Sequence, residues 1–560
     1  MDANGILQIL VYIVLVVALT PLLGRYMANI FTGKTLWLAP FERGIYRVCG
    51  IDERREQHWS AYALALLAFH LLAVLSLYAL LRLQQYLPFN PAGQGPMSPD
   101  LAFNTAISFS TNTNWQNYGG ESTLSYLSQM AGLTVHNFLS AAAGIAVAAA
   151  LIRGFSRKSA KTVGNFYVDT TRTTLYLLLP ICFVGALVLV WQGVPQNMND
   201  YVNAQTLDGG QQVIAQGPVA SQMMIKHLGT NGGGFFGQNS AHPFENPTPL
   251  SNFLEMFGMV IIPAGLVYMF GIMVGDKRHA WCLFGVMLVL LLGEFGVAMW
   301  AESQPNPVTA NVVPQMEGKE QRFGVMNSVL FACATTGTSC GAVNAMHDSF
   351  QPLAGLMPLW NLMLGCIVFG GVGAGLYGIL MHVLIVVFIA GLMVGRTPEY
   401  LGKKIQAWEA AWAVIAILVP NSLILLGSAW ACSSTAGLAG PGNAGPHGLS
   451  EIFYGYASCA NNNGSAFGGL TATSNFYNLT LGATMFLGRF GVIFAVLAIA
   501  GSMAAKKTVP ASSGTFPVNG ATFAVVLLGI IVIVGALTFF PALCLGPIVE
   551  HGLMLLGRTF

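Results

Sequence analysis

Ten separate stretches of this chain are apolar over lengths that can cross a bilayer, and this constrains the fold more than any short motif. A spanning helix needs about 20 predominantly apolar residues, with a range of about 17 to 25. Such runs lie near positions 5–23, 61–83, 130–152, 173–192, 252–274, 280–300, 354–394, 410–430, 476–504 and 521–545. Only 8% of the residues are charged and 54% are hydrophobic, whereas a soluble domain carries about 25% charged residues. The chain reads as an all-α polytopic membrane protein with ten transmembrane helices. The first run begins after five residues, with no basic leader and no small-residue cleavage site, so it reads as a retained helix and not a signal peptide.

The charges that remain are unevenly placed. Of the 24 basic residues, 18 fall on one set of alternating loops: Arg25 to Arg55 after the first run, Arg153 to Arg172 after the third, Lys277 and Arg278 after the fifth, Arg396, Lys403 and Lys404 after the seventh, and Lys506 and Lys507 after the ninth. The positive-inside rule makes those loops cytoplasmic and leaves both termini outside. A net charge of +2 gives no sign of a nucleic-acid partner. The nine cysteines form no CxxC and lie mostly in apolar runs, which points to neither a disulfide framework nor a zinc site.

The outside segments near 84–129, 193–251, 301–353 and 431–475 are long, and each carries a tight cluster of Asn, Thr, Ser and Gly. The clusters are Thr111-Asn112-Thr113-Asn114, Thr230-Asn231-Gly232-Gly233-Gly234, Thr338-Ser339-Cys340-Gly341 and Asn461-Asn462-Asn463-Gly464-Ser465. Roughly ten half-apolar residues precede each one, too few to span: Leu101 to Ser110, Ser221 to Gly229, Asn327 to Thr335 and Ser450 to Cys459. Thr113, Asn231, Cys340 and Asn463, taken as register marks, recur at intervals of 118, 109 and 123 residues. One such cluster is ordinarily a turn. Four at one period on one side predict four helix–pore-loop–helix repeats around a pseudo-fourfold axis, because irregular backbone at membrane depth survives only where it is buried in protein or lines a water-filled cavity. The repeats would occupy 61–160, 161–278, 279–405 and 406–508, between an N-terminal extra helix with its cytoplasmic loop in 1–60 and a C-terminal extra helix in 509–560.

A dehydrated monovalent cation is held by rings of backbone carbonyls, which carry no full charge and so release it again. Gly permits backbone angles that turn carbonyls inward, and Asn or Thr can brace a loop through side-chain hydrogen bonds. No Asp or Glu lies within any cluster, which argues against a carboxylate cage for calcium or magnesium.

Other features are ambiguous from sequence. Gly370-Gly371-Val372-Gly373 interrupts the long seventh run and fits either close helix packing or an unwound break beneath the third loop. Arg489 lies mid-span, a functional candidate by default. Glu294, nearer the outer end of the sixth run, reads as a snorkelling or vestibule residue, and His70 and His382 as hydrogen-bonded core histidines.

Several longer strings then carry a resemblance: TNTNWQ (111–116), GTNGGGFF (229–236), HPFENP (242–247), EGKEQRFGV (317–325), SCGAV (339–343), GRTPEYLGKK (395–404), NNNGSAF (461–467) and GRFGV (488–492). Together they resemble the KdpA family of potassium-binding and translocating subunits of bacterial potassium-importing ATPases, within the superfamily of potassium transporters. The resemblance implies that Asn112, Thr113, Thr230, Asn231, Ser339, Cys340, Asn462 and Asn463 present filter carbonyls to K+, while Asn114, Gly232, Gly341 and Gly464 shape the loops and Gln116 borders the filter. It implies an intramembrane tunnel with Gly370, Gly371, Gly373 and Arg489 near its start. Family members carry Glu just before the glycine break, where this chain has Cys366, so the resemblance implies a tunnel entrance without that acid.

The resemblance also implies a bacterial inner-membrane complex with a P-type ATPase catalytic subunit, a single-span periplasmic-facing subunit, a small single-span subunit and bound lipids. K+ is then the only ligand, with no organic cofactor. This chain would be the non-catalytic subunit: its longest loop is under about 60 residues, too small for a typical catalytic domain, and it has no DKTGT phosphorylation motif. The alternative is a stand-alone Trk- or Ktr-like channel or symporter subunit. A membrane-embedded enzyme is disfavoured, because no nucleophile with a base at motif spacing and no metal-ligand cluster is evident.

Overall fold

A computed structural model describes residues 3–310, 312–393, 395, 398–510 and 515–559. Arg396, one of the basic residues assigned to the cytoplasmic side, lies outside the described residues. The helices that organise the fold are α1 (Ala3–Phe31), α2 (Trp59–Leu83), the short α3 (Pro99–Ser110), α4 (Ser128–Ser156), α5 (Phe166–Trp191), the short α6 (Val219–Leu228), α7 (Pro249–Val274) and α8 (Lys277–Glu302). The second half continues with α9 (Gly324–Gly337), α10 (Pro352–Met363), α11 (Ala374–Met393), α12 (Ala407–Ser433), α13 (Gly445–Ala460), α14 (Asn475–Ala505) and α15 (Ala521–Leu555). Ten of these are long and apolar enough to span: α1, α2, α4, α5, α7, α8, α11, α12, α14 and α15.

Burial divides the spans into an inner and an outer set. In the most apolar window, 89% of α4, 78% of α7 and 67% of α14 is buried, against 22% of α1 and 28% of α15. The composition of α4 accounts for its place: its Ala141–Ala150 stretch is small and fully packed on all sides, which lets neighbouring backbones approach. α1 docks from outside against α7, where a Cβ on Gly24 would come within 2.8 Å of Gly265 O. The outer helices leave Leu, Val and Ile side chains exposed, such as Leu64, Leu72, Leu187, Leu426 and Leu537, as a lipid-facing surface does.

The seventh apolar run is not one helix. α10 ends at Met363 and α11 begins at Ala374, with non-helical backbone between. Gly365, Cys366, Phe369, Gly370 and Gly373 all have positive φ there, which resolves the ambiguity in favour of an unwound break. Glycine is needed at Gly373 because its φ is +92° and a Cβ would overlap the backbone of Gly144 on α4. Besides helices, the segment between α5 and α6 folds as a hairpin, β1 (Val202–Gln205) antiparallel to β2 (Gln211–Ile214), with Val202 opposite Ile214.

Candidate ion-binding site

The short helices α3, α6, α9 and α13 run into the four polar clusters, and the backbone takes the same course after each. The C-cap residues Thr111, Gly229, Thr338 and Asn461 have φ of −91°, −81°, −89° and −98°. The next residues, Asn112, Thr230, Ser339 and Asn462, are left-handed at +65°, +45°, +54° and +51°. One residue further, the N–H of Thr113, Asn231, Cys340 and Asn463 donates to the carbonyl five positions back, at 3.0, 2.8, 2.9 and 2.8 Å. This is the bond a helix C-terminus makes when a left-handed residue reverses the chain. Asn114, Gly232, Gly341 and Gly464 are then left-handed again, at +56°, +80°, +90° and +93°.

Left-handed backbone is strained in a β-branched residue, and Thr230 bears it because its hydroxyl is engaged. Thr230 Oγ1 accepts the Val372 N–H of the glycine break at 2.9 Å and donates to Gly229 O at 2.8 Å. Strain of this kind persists where the surroundings over-determine it, and it clusters at functional sites.

The loops touch in cyclic order. A Cβ on Gly232 would overlap Cys340 O, one on Gly341 would overlap Asn463 O, and one on Gly464 would overlap Thr113 O. Asn112 closes the circle, its Nδ2 donating to Thr230 O at 2.9 Å and Gly229 O at 3.3 Å. Similar ties hold the other junctions: Ser339 Oγ donates to Asn461 O and Asn462 O at 3.0 and 2.9 Å, and Asn462 Nδ2 to Thr113 Oγ1 at 2.9 Å. All of the loop side chains from Thr111 to Asn114, with Thr230, Asn231, Ser339, Cys340, Asn462 and Asn463, are buried. The structure thus brings all twelve predicted filter residues into one closed ring with buried side chains.

A family model described as the KdpA potassium-transporting ATPase A subunit matches residues 10–552. The chain belongs to the KdpA family. It is similar along its whole length to proteins named potassium-transporting ATPase potassium-binding subunit. The one from Paramagnetospirillum magneticum is 62% identical over 560 residues, covering all of both chains. That from Rhodospirillum centenum is 60% identical over 569 residues, covering 100% of this chain and 99% of the relative. In Mesorhizobium japonicum the relative is 57% identical over 567 residues, again covering all of both chains.

Within this KdpA-family chain, Gln116 braces the ring at its outer edge: its Oε1 accepts the Gly234 N–H at 2.7 Å and its Nε2 donates to Gly234 O at 3.2 Å. Gly370, Gly371 and Gly373 lie beneath loops two and three, where a Cβ on Gly371 would meet Ser339 Cβ at 3.3 Å and Thr230 Oγ1 at 3.7 Å. Arg489 is buried on α14, its Nη2 donating to Ser140 O at 3.4 Å, with Nε unpartnered. It lines a cavity of about 80 Å³ with Asn461, Asn462, Gly365, His382 and Asn421. His70 Nδ1 donates to Leu66 O (2.8 Å) and His382 Nδ1 to Gly378 O (3.1 Å), as core histidines do. Glu294 differs from its expected place: at 5% exposure it is enclosed and does not snorkel to an interface.

Among the charge pairs that were not foreseen, two join a lysine and a glutamate whose side chains are both fully enclosed. Lys226, in the last turn of α6, is 1% exposed and donates to Glu245 Oε2 at 2.7 Å, Asn239 Oδ1 at 2.6 Å and Ser240 Oγ at 2.9 Å. Glu245 Oε1 in turn accepts the Phe236 N–H at 2.8 Å, which fixes the chain as it leaves loop two. Burial pushes the Glu245 carboxyl up from its ordinary range, and Lys226 opposes that shift. Lys319 meets Glu302 at 3.0 Å, both fully buried as side chains. The signal was present in the HPFENP and EGKE strings, which contain Glu245 and Lys319, but neither string names its partner.

Proposed function

We propose that this chain is the potassium-binding and translocating subunit of an ATP-driven potassium importer. The observation that carries this reading is the closed ring of four loops with one backbone course. Alternation of left- and right-handed residues turns successive carbonyls of a strand to one side. Four such strands facing one another give Asn112, Thr113, Thr230, Asn231, Ser339, Cys340, Asn462 and Asn463 as oxygen donors for a dehydrated cation. Asn114, Gly232, Gly341 and Gly464 supply the second left-handed turn. Each loop follows the C-terminus of a short helix, so the negative ends of four helix dipoles add to the attraction. The donors are uncharged, which suits an ion that must leave again, and the family's potassium-binding members support K+ as that ion.

From the ring, the ion passes sideways rather than straight through. The glycine break closes the path beneath loops two and three, and the cavity beside Arg489, Asn461 and Asn462 offers a start for an intramembrane tunnel. A positive charge at that point repels the ion, so it passes this cavity without resting there. Energy comes from a P-type ATPase catalytic subunit, with a single-span periplasmic-facing subunit and a small single-span subunit completing a lipid-embedded inner-membrane complex. The chain then lies with both termini outside, and its four pore repeats occupy 61–160, 161–278, 279–405 and 406–508.

The test is K+-stimulated ATP hydrolysis by the complex purified with co-expressed partners, wild type against Gly232→Asp. A Cβ at Gly232 overlaps Cys340 O, and a carboxylate adds charge beside it. Stimulation at low K+ that moves to much higher K+ in the variant supports the reading. Hydrolysis indifferent to K+ in both, or failure of any ATPase to co-purify, transfers the function to a stand-alone channel or symporter.

A further inference from the structure

Two buried acids of the outer loops and helix ends are held by lysines: Glu245 by Lys226 at 2.7 Å and Glu302 by Lys319 at 3.0 Å. Glu294 on α8 is the contrast. It is 5% exposed, and among the described residues no basic side chain pairs with it. The Asn361 amide on α10 lies beside it and also donates to Cys333 O at 3.4 Å and Thr336 Oγ1 at 3.2 Å on α9. Cys333 and Cys366 both lie within the field of Glu294. Cys366 has left-handed backbone, φ +49°, at the start of the break, and its thiol neighbours the side chains of Ser339 and Asn463. Glu294 thus acts on Cys366, whose thiol in turn neighbours loops three and four.

A carboxylate removed from water with no basic group beside it must either carry a proton or face a cation. In the proposed function, a cation reaches this part of the molecule when the ring is occupied. We infer that Glu294 is a positioning residue for the transported monovalent cation, its charge behind Cys366 holding the ion at the inner side of loops three and four. The uncharged ring selects the ion, and the carboxylate raises its occupancy at the turn toward the cavity. This inference rests on the potassium-importer reading and extends it to a residue outside the loops.

The experiment measures half-maximal K+ and maximal rate of ATP hydrolysis in the co-purified complex for wild type, Glu294→Gln, Glu294→Asp and Glu294→Gln/Cys366→Glu. Loss of one charge at several ångströms in a partly buried site predicts that Glu294→Gln raises half-maximal K+ about tenfold, with the maximal rate within about twofold of wild type. Glu294→Asp keeps the charge and stays within about threefold. The double variant, with the acid at the position that neighbours the Ser339 and Asn463 side chains, returns most of the lost affinity. A Gln variant equal to wild type overturns the inference. An Asp variant as impaired as Gln also overturns it, because packing and not charge would then be at work. A wild-type complex that ignores K+ brings down the importer reading itself, and this inference with it.

Discussion

Gly464→Ala separates a ring of mutually braced loops from four independent turns. Gly464 sits at φ +93°, and an added Cβ would overlap Thr113 O while standing 2.9 Å from Thr113 C and 3.3 Å from Asn114 C. Left-handed backbone costs a non-glycine residue about 1–2 kcal/mol, and forcing a methyl into a filled site costs about 1–3 kcal/mol more. The substitution therefore stores about 2–5 kcal/mol, and what it presses on is backbone, which cannot swing aside as a side chain does. Relief requires loop four to move away from loop one, widening the ring. Binding a dehydrated ion then has to restore the narrow form, so the strain appears as lost affinity. At about 1.4 kcal/mol per tenfold, even the lower end predicts a rise of about 30-fold in half-maximal K+ for ATP hydrolysis by the purified complex. Gly529→Ala on α15 is the control, since nothing lies within 4 Å of the added methyl and Ala favours helix; it leaves half-maximal K+ unchanged. A Gly464→Ala complex that folds and keeps its half-maximal K+ within twofold of wild type refutes the ring.

Further outcomes follow from the charged groups and from topology. Lys226→Met strands the Glu245 carboxylate in the interior, which costs about 3–5 kcal/mol; thermal unfolding of the purified chain falls accordingly, and adding Glu245→Gln recovers most of the loss. His447, whose Nε2 meets Asp348 at 2.6 Å and whose Nδ1 meets Glu550 at 2.8 Å, ties the C-terminal turn of α15 to the segment between α9 and α10. Burial lowers its pKa, but the two carboxylates outweigh that and raise it to about 10. A raised histidine pKa stabilises fully below its ordinary value near 6.5 and loses that effect as pH rises through about 10. Protease resistance of the C-terminal segment therefore declines over that interval in wild type and is flat in His447→Gln. Cys49 is exposed and follows α1, so in the proposed orientation an impermeant maleimide reaches it only after intact cells are permeabilised; labelling from outside reverses the topology.

The spans were legible because the bilayer leaves a chain few choices: length and apolarity decide the matter, and nine of the ten runs correspond to one spanning helix each, while the seventh divides into α10 and α11. The short helices were legible too, since each is too short to cross and ends in residues suited to left-handed backbone. The conformation from Gly365 to Gly373 was not, because glycines serve close helix packing and chain reversal equally well. Only the backbone of Gly144 against Gly373 tells which applies. Lys226 and Glu245 lie 19 positions apart across a loop, so neither helical spacing nor strand alternation pairs them. Glu294 misled for a related reason. Its distance from the helix end resembles that of a residue that reaches an interface, but α9 and α10 cover that face of α8. The β1–β2 hairpin lay in a polar outer segment whose alternation is too brief to stand out from an ordinary loop.

The most direct measurement is an anomalous-scattering structure of the complex with rubidium or thallium in place of potassium. One or more ion peaks enclosed by the loops at Thr113, Asn231, Cys340 and Asn463 are predicted, lost in Gly464→Ala at the same ion concentration. Ions bound elsewhere in a complex that still hydrolyses ATP in response to the same cation, with the ring empty, would contradict it.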